Sequence, residues 1–295
     1  MHRTIRPYEL FEPSTIDQAS MLLKKYQSEA KVLAGGLDLV SKMRRWQTNP
    51  KYLISIRNIK ELKQIKNYRQ EGIEIGAMVS LHDVELSAIV KERWPVLHEA
   101  VHQIASIQVK TMGTMVGNLC VATPASDIAP ILFVLGAKLK VNSVSDQKII
   151  PVDAFFIPVC QHILKPDELV TSVILPEQPN DTVCAFMKLA HTAACIAKIN
   201  VAVSISKSGD FCKDARIALG AVAPCVIRAR QAEEILKDSN FNEKTIDLAC
   251  YKASEEATPI SDLRSTAKYR RKMVEVLVRR AINHILVKLK QSKGV

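Results

Sequence analysis

The stretch Val109-Lys110-Thr111-Met112-Gly113-Thr114-Met115-Val116-Gly117-Asn118-Leu119-Cys120-Val121-Ala122-Thr123-Pro124-Ala125-Ser126-Asp127-Ile128-Ala129-Pro130 decides how the rest of the chain is read. It gathers small residues, hydroxyls and two glycines in a protein with only 10 glycines among 295 residues. Such a loop suits close approach to a ligand, because a missing Cβ lets backbone N–H groups face an anion without steric conflict. Ser126 and Asp127 stand immediately before an apolar run, where helix-starting residues stand.

The other glycine cluster is Gly35-Gly36. Lys31 to Ala34 reads as a short strand, Gly35-Gly36 as a tight turn, and Leu37 to Arg45 as a helix beginning at that turn. A phosphate can accept backbone N–H bonds at such a helix start and feel its positive end. From Gly-Gly alone, a plain strand-to-helix turn is the commoner outcome.

Upstream, Ser14 followed by Asp17 resembles a helix cap, with Ile16, Ala19, Leu22, Leu23 and Tyr26 on one helical face. Downstream, Tyr52 to Ile56 is a strand, and Leu62 to Ile65 pairs with Ile73 to Ala77 around a turn near Gln70 to Gly72. Helices are expected over Leu81 to Val90, Val96 to Ser106 and Ile128 to Leu135. Strands follow at Lys138 to Val141, Lys148 to Val152 and Leu169 to Leu175, and Pro176 to Asp181 reads as a linker.

Beyond the linker come longer strands, Cys184 to Ala190, Ile199 to Lys207 and Phe211 to Leu219, and then helices. Strands and helices in separate blocks indicate an α+β domain. The last helix, Ala267 to Lys290, carries Val274, Leu277, Val278, Ala281, Ile282, Ile285 and Leu286 on one stripe. Arg270, Arg271, Arg279, Arg280, Lys288 and Lys290 are assigned to its other face. A basic helix face is ordinarily just solvated, and no aromatic interleaving supports nucleic-acid binding.

The length fits about two or three compact units, so sites buried between units are physically available. A net charge of +11 and a pI near 9.3 suit nucleic acid, an anionic ligand or an acidic partner, and charge alone does not choose. Seven cysteines without a Cys-x-x-Cys pair fit reduced thiols in a cytosolic protein and offer neither a zinc ribbon nor an iron–sulfur cluster. Met1 to Glu12 lacks the apolar core of a signal peptide, and the longest apolar run, Ile128 to Ala137, is too short for a membrane span. A soluble, cytoplasmic protein is expected.

Two candidate chemistries compete with a cofactor role. His98-Glu99-Ala100-Val101-His102 matches His-Glu-x-x-His, in which two imidazoles one helical turn apart share a zinc ion and the glutamate serves as base. A third ligand is required, and the next glutamate is Glu168. Asp127 could be a catalytic carboxylate or a helix cap, with local sequence slightly favouring the cap. Lys188, between Phe186 and Leu189 in a strand, either snorkels to an edge or faces a ligand. His82, His162 and His191 are isolated and read as structural or surface residues. With two glycine turns, no nucleophile and no acid–base pair, a cofactor holder is more in keeping than a self-sufficient hydrolase.

Several segments together resemble a known family. Leu33-Ala34-Gly35-Gly36-Leu37-Asp38-Leu39, Thr114 to Asn118 and Thr123 to Pro130 are similar to the paired motifs of the FAD-binding medium subunit of molybdenum hydroxylases. This is the family of xanthine dehydrogenase and aerobic carbon monoxide dehydrogenase. The likeness continues through Asp167 to Val170, Phe186 to Leu189, Pro259 to Arg264 and Tyr269 to Arg271, in the same order.

The resemblance implies two PCMH-type FAD-binding α/β subdomains, residues 1–60 and 61–176, that clamp FAD between them. A C-terminal α+β domain with a three-stranded antiparallel sheet and helices would follow over residues 182–295, making the whole chain α+β. By the same resemblance Val32, Leu33, Ala34, Gly35, Gly36, Leu37 and Asp38 wrap the diphosphate from one side, and Thr114, Met115, Val116, Gly117 and Asn118 from the other. Asp127 hydrogen-bonds the flavin's sugar-alcohol chain, Val170 lines the ring pocket and Lys188 lies near the flavin. The implied partners are a molybdenum-cofactor large subunit and a [2Fe–2S] small subunit, with NAD⁺ or another final acceptor and no metal in this chain.

The chain departs from the family pattern at three places. Leu37 stands where threonine is usual, Val116 where a second glycine is usual, and His191 to Cys195 is one residue shorter and lacks the common arginine. The extra cysteine-bearing segment of benzoyl-type relatives is missing, so no additional cluster is expected. From this reading, a β-branched residue at Gly35 or Gly117 should weaken FAD binding with little loss of fold.

Overall fold

The computed structural model describes residues 4–68, 71–192 and 194–291. Its first sheet is parallel: β1 (Glu9–Phe11), β2 (Ala30–Leu33) and β3 (Tyr52–Ser55) in the order β1-β3-β2, linked by α1 (Ile16–Tyr26) and α2 (Leu37–Arg44). The α1 cap is Thr15, whose hydroxyl accepts the Gln18 N–H at 3.2 Å, one residue later than expected. Ser14 is taken up instead by the Gln18 side chain, 2.9 Å from its backbone nitrogen. Ala19 and Leu23 are buried as the helical stripe requires, and Tyr26 stacks on Tyr52 with ring centroids 3.9 Å apart.

The second unit runs through β4 (Ile65–Asn67), β5 (Gly72–Gly76), α3 (Leu81–Leu86), α4 (Ala88–Arg93), α5 (Pro95–His102), α6 (Ile107–Met112), α7 (Met115–Cys120) and α8 (Ala129–Val134). It continues with β6 (Lys138–Asn142), β7 (Gln147–Pro151), the short hairpin β8 (Phe156–Ile157) and β9 (Gln161–His162), and β10 (Leu169–Pro176). A five-stranded sheet in the order β4-β5-β10-β6-β7 is antiparallel throughout, so this unit is α+β and not α/β. Leu62 belongs to a 3₁₀ turn, Lys60–Lys63, because its carbonyl is needed by the Met78 N–H at 2.8 Å; the strand starts at Ile65. Gln70 of the expected turn lies outside the described residues, and Gly72 is already in β5.

Two of the expected helices break differently. Leu81 to Val90 splits at Ser87, whose extended backbone (ψ 114°) ends α3 while its hydroxyl caps α4. The next helix stops at His102, and the first half of the expected loop over Val109 to Pro130 is helical, as α6 and α7. Thr114 is the cap that decides this: its hydroxyl accepts the Gly117 N–H and starts α7 directly after Gly113, where α6 has ended.

The third unit is a sheet of β11 (Thr182–Leu189), β12 (Ile199–Ser208), β13 (Phe211–Gly220) and β14 (Ile227–Arg228), followed by α9 (Arg230–Leu236), α10 (Glu243–Glu256) and α11 (Ala267–Gln291). The sheet has four strands where three were expected, because β14 adds two residues beside Ala218 and Leu219. The central strand β12 is buried on both faces. Ile199, Val201, Val203 and Ile205 pack with Val274, Val278, Ala281 and Ile282 of α11. On the opposite face Ala202 joins Ala218, Phe186 and Val226 in the core of the first two units. That opposite face is small and polar, with Asn200, Ser204 and Ser206 alternating with the large side chains.

Arg270 is not on the solvated face of α11. It is 4% exposed, donates to the Ala221 carbonyl at 3.1 Å and pairs with Asp262 at 2.7 Å. Leu286 is half-buried and Leu289 completes the stripe in its place. No described helix is long and apolar enough to cross a membrane.

Glu233 ties the sheet to α9: its carboxylate accepts the Ile217 N–H at 2.8 Å and two Arg228 N–H groups at 2.9 and 2.6 Å. Glu233→Ala leaves that backbone donor without its acceptor and a largely buried guanidinium with only Asp153, 3.9 Å away, so chemical denaturation should show a loss of about 2–3 kcal/mol. A loss below about 0.5 kcal/mol would show that the pair contributes nothing net.

Candidate cofactor-binding site

The two glycine clusters meet. β2 ends at Leu33, and the chain turns through Gly35 and Gly36 into α2; Gly36 has φ +76° and offers α2 no side-chain cap. A Cβ on Gly35 would lie 1.9 Å from the Met112 carbonyl oxygen, so the turn rests directly on the backbone that leaves α6. Leu81 N–H binds the Gly113 carbonyl at 2.8 Å and Ser80 bridges to Thr114, which fixes that backbone from the other side. The starts of α2 and α7 are thereby brought together, and first-turn N–H groups of helices are the groups an anion can use.

Gly117 serves Thr114. The threonine hydroxyl accepts the Gly117 N–H at 3.0 Å, and a Cβ there would sit 2.8 Å from that oxygen. Met115 and Val116 turn into the core, 0% and 4% exposed, and α7 keeps Val116 out of the positive-φ region. Leu37 is 44% exposed beside Gly113, Asp38 pairs with Lys42 at 2.7 Å, and Val32, Leu33 and Ala34 are half-buried. The expectation that Gly35 could be enlarged with little loss of fold is therefore overturned, since its Cβ would meet a backbone carbonyl; at Gly117 the close neighbour is the Thr114 hydroxyl, a side chain that an added Cβ would displace from its capping contact.

Asp127 is the centre of a buried polar cluster. It is 8% exposed; Lys188 Nζ donates to Oδ2 at 2.7 Å and Asn200 Nδ2 to Oδ1 at 2.6 Å. Lys188 also donates to the Gln103 carbonyl at 3.3 Å, and its side chain is 3% exposed. It neither snorkels to an edge nor stands free; it crosses to the helical unit. Asp127 is not the cap of α8, whose N-cap is Ile128; Ser126, two residues earlier, accepts the Ala129 N–H on its hydroxyl at 3.1 Å and donates to Asn118 Oδ1 at 2.6 Å. Asn118 thus connects the α7 start to Asp127 through one residue.

Asn200 was missed in the sequence, as was the role of Gly220 opposite it, because their place depends on strand register. Val170 lies in β10 beside a register shift, 2% exposed and within the core. The loop after β11 is exposed at His191, Thr192, Cys195 and Ile196, while Ala193 lies outside the described residues. The His-Glu-x-x-His residues are spent elsewhere. His102 Nδ1 is 2.8 Å from Glu85, Glu99 faces Lys288 of α11 at 3.8 Å, and no described cluster of three His, Cys, Asp or Glu could hold a metal.

Glu85 also binds Lys110 at 2.6 Å, a lysine only 8% exposed at its side chain. Burial raises the Glu85 carboxyl, but hydrogen bonds and charge from Lys110 and His102 outweigh it and hold the carboxyl below its usual value near 4.5. This cluster braces α3 against α6, the helix that leads to Gly113 and Thr114.

The arrangement sets donors suited to an anion beside an acceptor suited to hydroxyl groups. The joined helix starts supply backbone donors, and an ion-paired Asp127 has only lone pairs to offer, as hydroxyl groups require. Comparison with known proteins agrees. A family model described as the FAD binding domain in molybdopterin dehydrogenase matches residues 6–178, and one described as the CO dehydrogenase flavoprotein C-terminal domain matches residues 184–285. The chain belongs to the family of FAD-binding medium subunits of molybdenum hydroxylases, an oxidoreductase component whose cofactor is FAD.

Among curated relatives, the carbon monoxide dehydrogenase medium chain of Hydrogenophaga pseudoflava is 32% identical over 278 residues, 94% of this chain and 96% of that one. The glyceraldehyde dehydrogenase medium chain of Sulfolobus acidocaldarius is 30% identical over 253 residues, 86% of this chain and 89% of that one. A solved structure of the Hydrogenophaga pseudoflava carbon monoxide dehydrogenase that lacks the Mo-pyranopterin moiety matches with a TM-score of 0.93 at 31% identity, covering 96% and 99% of the two chains.

Two outcomes follow. Gly35→Ala should cost the FAD-free protein about 3 kcal/mol in denaturant unfolding, because carbonyl and backbone must part. Gly36→Ala, which meets only side chains, should cost about 1–2 kcal/mol through its left-handed φ; equal costs would contradict the packing. Because the Glu85 carboxyl is lowered on folding, its stabilisation is complete above pH 4.5 and is lost as pH falls through the folded value. Glu85→Gln should be less stable than wild type at pH 7 by about 2 kcal/mol, with the gap closing below pH 4.5. A gap that stays constant with pH would refute it.

Proposed function

We propose that the chain carries FAD between its first two units and passes electrons through it, from a [2Fe–2S] small subunit fed by a molybdenum-cofactor large subunit to NAD⁺ or another acceptor. The diphosphate lies between Val32 to Asp38 and Thr114 to Asn118, Asp127 accepts a hydroxyl of the sugar-alcohol chain, and Val170 and Lys188 stand toward the ring. The observation that carries this is the contact of Gly35 with the Met112 carbonyl, which joins both turns at one place, with Asp127 linked to it through Ser126 and Asn118.

Bound FAD supplies a carrier that accepts electrons singly and delivers them in pairs. The chain's own residues do the rest. Backbone N–H groups of the two helix starts hold the anion, Lys188 keeps a positive charge at the inner end of the site, and the third unit closes the site from water. The net charge of +11 favours an anionic cofactor and acidic partner faces. The relatives named above are medium chains of larger enzymes, which supports large and small partner subunits. Seven free cysteines support a reducing, cytoplasmic setting. The proposed units span residues 1–60, 61–176 and 182–295, in keeping with a separate main sheet in each and the small β8-β9 pair added to the second.

The test is to purify the chain alone and with its genomic neighbours, record the visible spectrum and titrate FAD into any colourless preparation. One FAD per chain is expected. Asp127→Asn should weaken FAD at least tenfold, about 1.4 kcal/mol, because its amide presents a donor where Lys188 or Asn200 already donates. Failure of wild-type protein to take up FAD in either preparation would overturn the proposal.

A further inference from the structure

Three neighbouring strands bring contacts to the same loop, Pro124 to Asp127. Lys188 on β11, Asn200 on β12 and Gly220 on β13 are register partners, Lys188 with Asn200 and Asn200 with Gly220. Lys188 takes Asp127 Oδ2 at 2.7 Å. Asn200 takes Asp127 Oδ1 at 2.6 Å and the Ser126 carbonyl at 3.0 Å. Ala221, just past Gly220, donates its N–H to the Pro124 carbonyl at 2.6 Å.

Asn200 is fully buried, and its orientation is not free. Rotating the amide would face an oxygen toward the Asp127 carboxylate, so the nitrogen must point there and the oxygen toward β13. That oxygen has no hydrogen-bond partner in the structure and lies 2.0 Å from where a Gly220 Cβ would be. A buried acceptor left unpaired is costly, and a second strand gives up its side chain to make room for it. Packing alone does not account for such a residue, because an apolar side chain would fill the space without either cost.

We infer that Asn200, seated over Gly220, is a positioning residue that fixes the Asp127 carboxylate and through it the Lys188 ammonium toward the flavin. Asn200 shares the carboxylate with Lys188, so that Asp127 keeps lone pairs directed to the cofactor and neutralises Lys188 only in part. Without Asn200 the carboxylate turns wholly onto Lys188, removing both an acceptor for the sugar-alcohol chain and positive charge near the ring. The inference rests on the proposed placement of FAD and goes beyond it in making the third unit's central strand part of the site.

The experiment uses the full chain with its partner subunits, removes FAD, and measures FAD affinity, flavin midpoint potential and the melting temperature of the FAD-free protein. Asn200→Ala should weaken FAD about tenfold and lower the potential, with the melting temperature reduced by no more than a few degrees. Gly220→Ala should reproduce the loss by displacing the Asn200 amide, and the double variant should be no worse than Asn200→Ala alone, since one displacement is shared. Asn200→Asp keeps the shape and opposes Asp127 with a second acceptor, so it must lose at least as much affinity if Asn200→Ala does not fold.

Wild-type FAD affinity and potential in Asn200→Ala or Asn200→Asp would overturn the inference. So would losses from Asn200→Ala and Gly220→Ala that multiply. Wild-type protein that binds no FAD would instead overturn the placement of the cofactor itself.

Discussion

A carboxylate pinned from two sides holds this structure in register. Asp127 lies at the seam between the helical unit and the C-terminal sheet, with Lys188 on one oxygen and Asn200 on the other. A buried charge is tolerable only when paired and hydrogen-bonded, so the seam has essentially one arrangement. The apolar contacts around it, Phe186, Ala202, Ala218 and Val226 against the first core, would allow small slips. The polar row does not, because each donor has a fixed acceptor.

From this pin the chain of constraint runs outward in both directions. Ser126, next to Asp127, binds Asn118, and Asn118 belongs to the helix that Thr114 caps. That helix start lies just past the Met112 carbonyl on which Gly35 rests. In the other direction Pro124 receives Ala221, whose own carbonyl receives Arg270, and Arg270 grips Asp262. Asp262 orders the turn through the Arg264 and Ser265 N–H groups. The motif segments around Thr114, Asp127, Lys188, Asp262 and Arg270, far apart in sequence, are thus links of one path of hydrogen bonds and short chain steps, and Gly35 joins it by close packing on the Met112 carbonyl.

Local patterns were legible in the sequence and cross-strand partners were not. The α11 stripe, the strand before Gly35 and the long strands after residue 181 follow from periodicity and turn residues, which act over a few positions. The two short helices over Ile107–Met112 and Met115–Cys120 are not legible because glycine there suggests an open loop, whereas the cap at Thr114 starts the second of them. Arg270 was placed in solvent because helical spacing says nothing of a carbonyl 49 residues earlier. Lys188 was left between an edge and a ligand because its acceptor is 61 residues away. Asn200 carried no signal at all, since a continuous buried strand hides which of its faces is polar. The family motifs marked most of these positions without giving their reasons.

The departures from the family pattern have different weights once the glycines' work is known. The donors at a helix start are backbone N–H groups, which do not depend on the side chain they precede. Leu37 therefore forfeits one hydroxyl, about 0.5–1.5 kcal/mol in a typical hydrogen bond, and leaves the α2 start intact. Val116 forfeits still less, because its side chain is 4% exposed in the core and its backbone is helical. A glycine there would remove buried methyl groups without adding a donor. Gly35 is the position with no such freedom, since its missing Cβ is what allows the two turns to touch. In the proposed placement of the diphosphate, the closeness of the two backbones is what supplies the donors, and the side chains at 37 and 116 adjust the strength of binding.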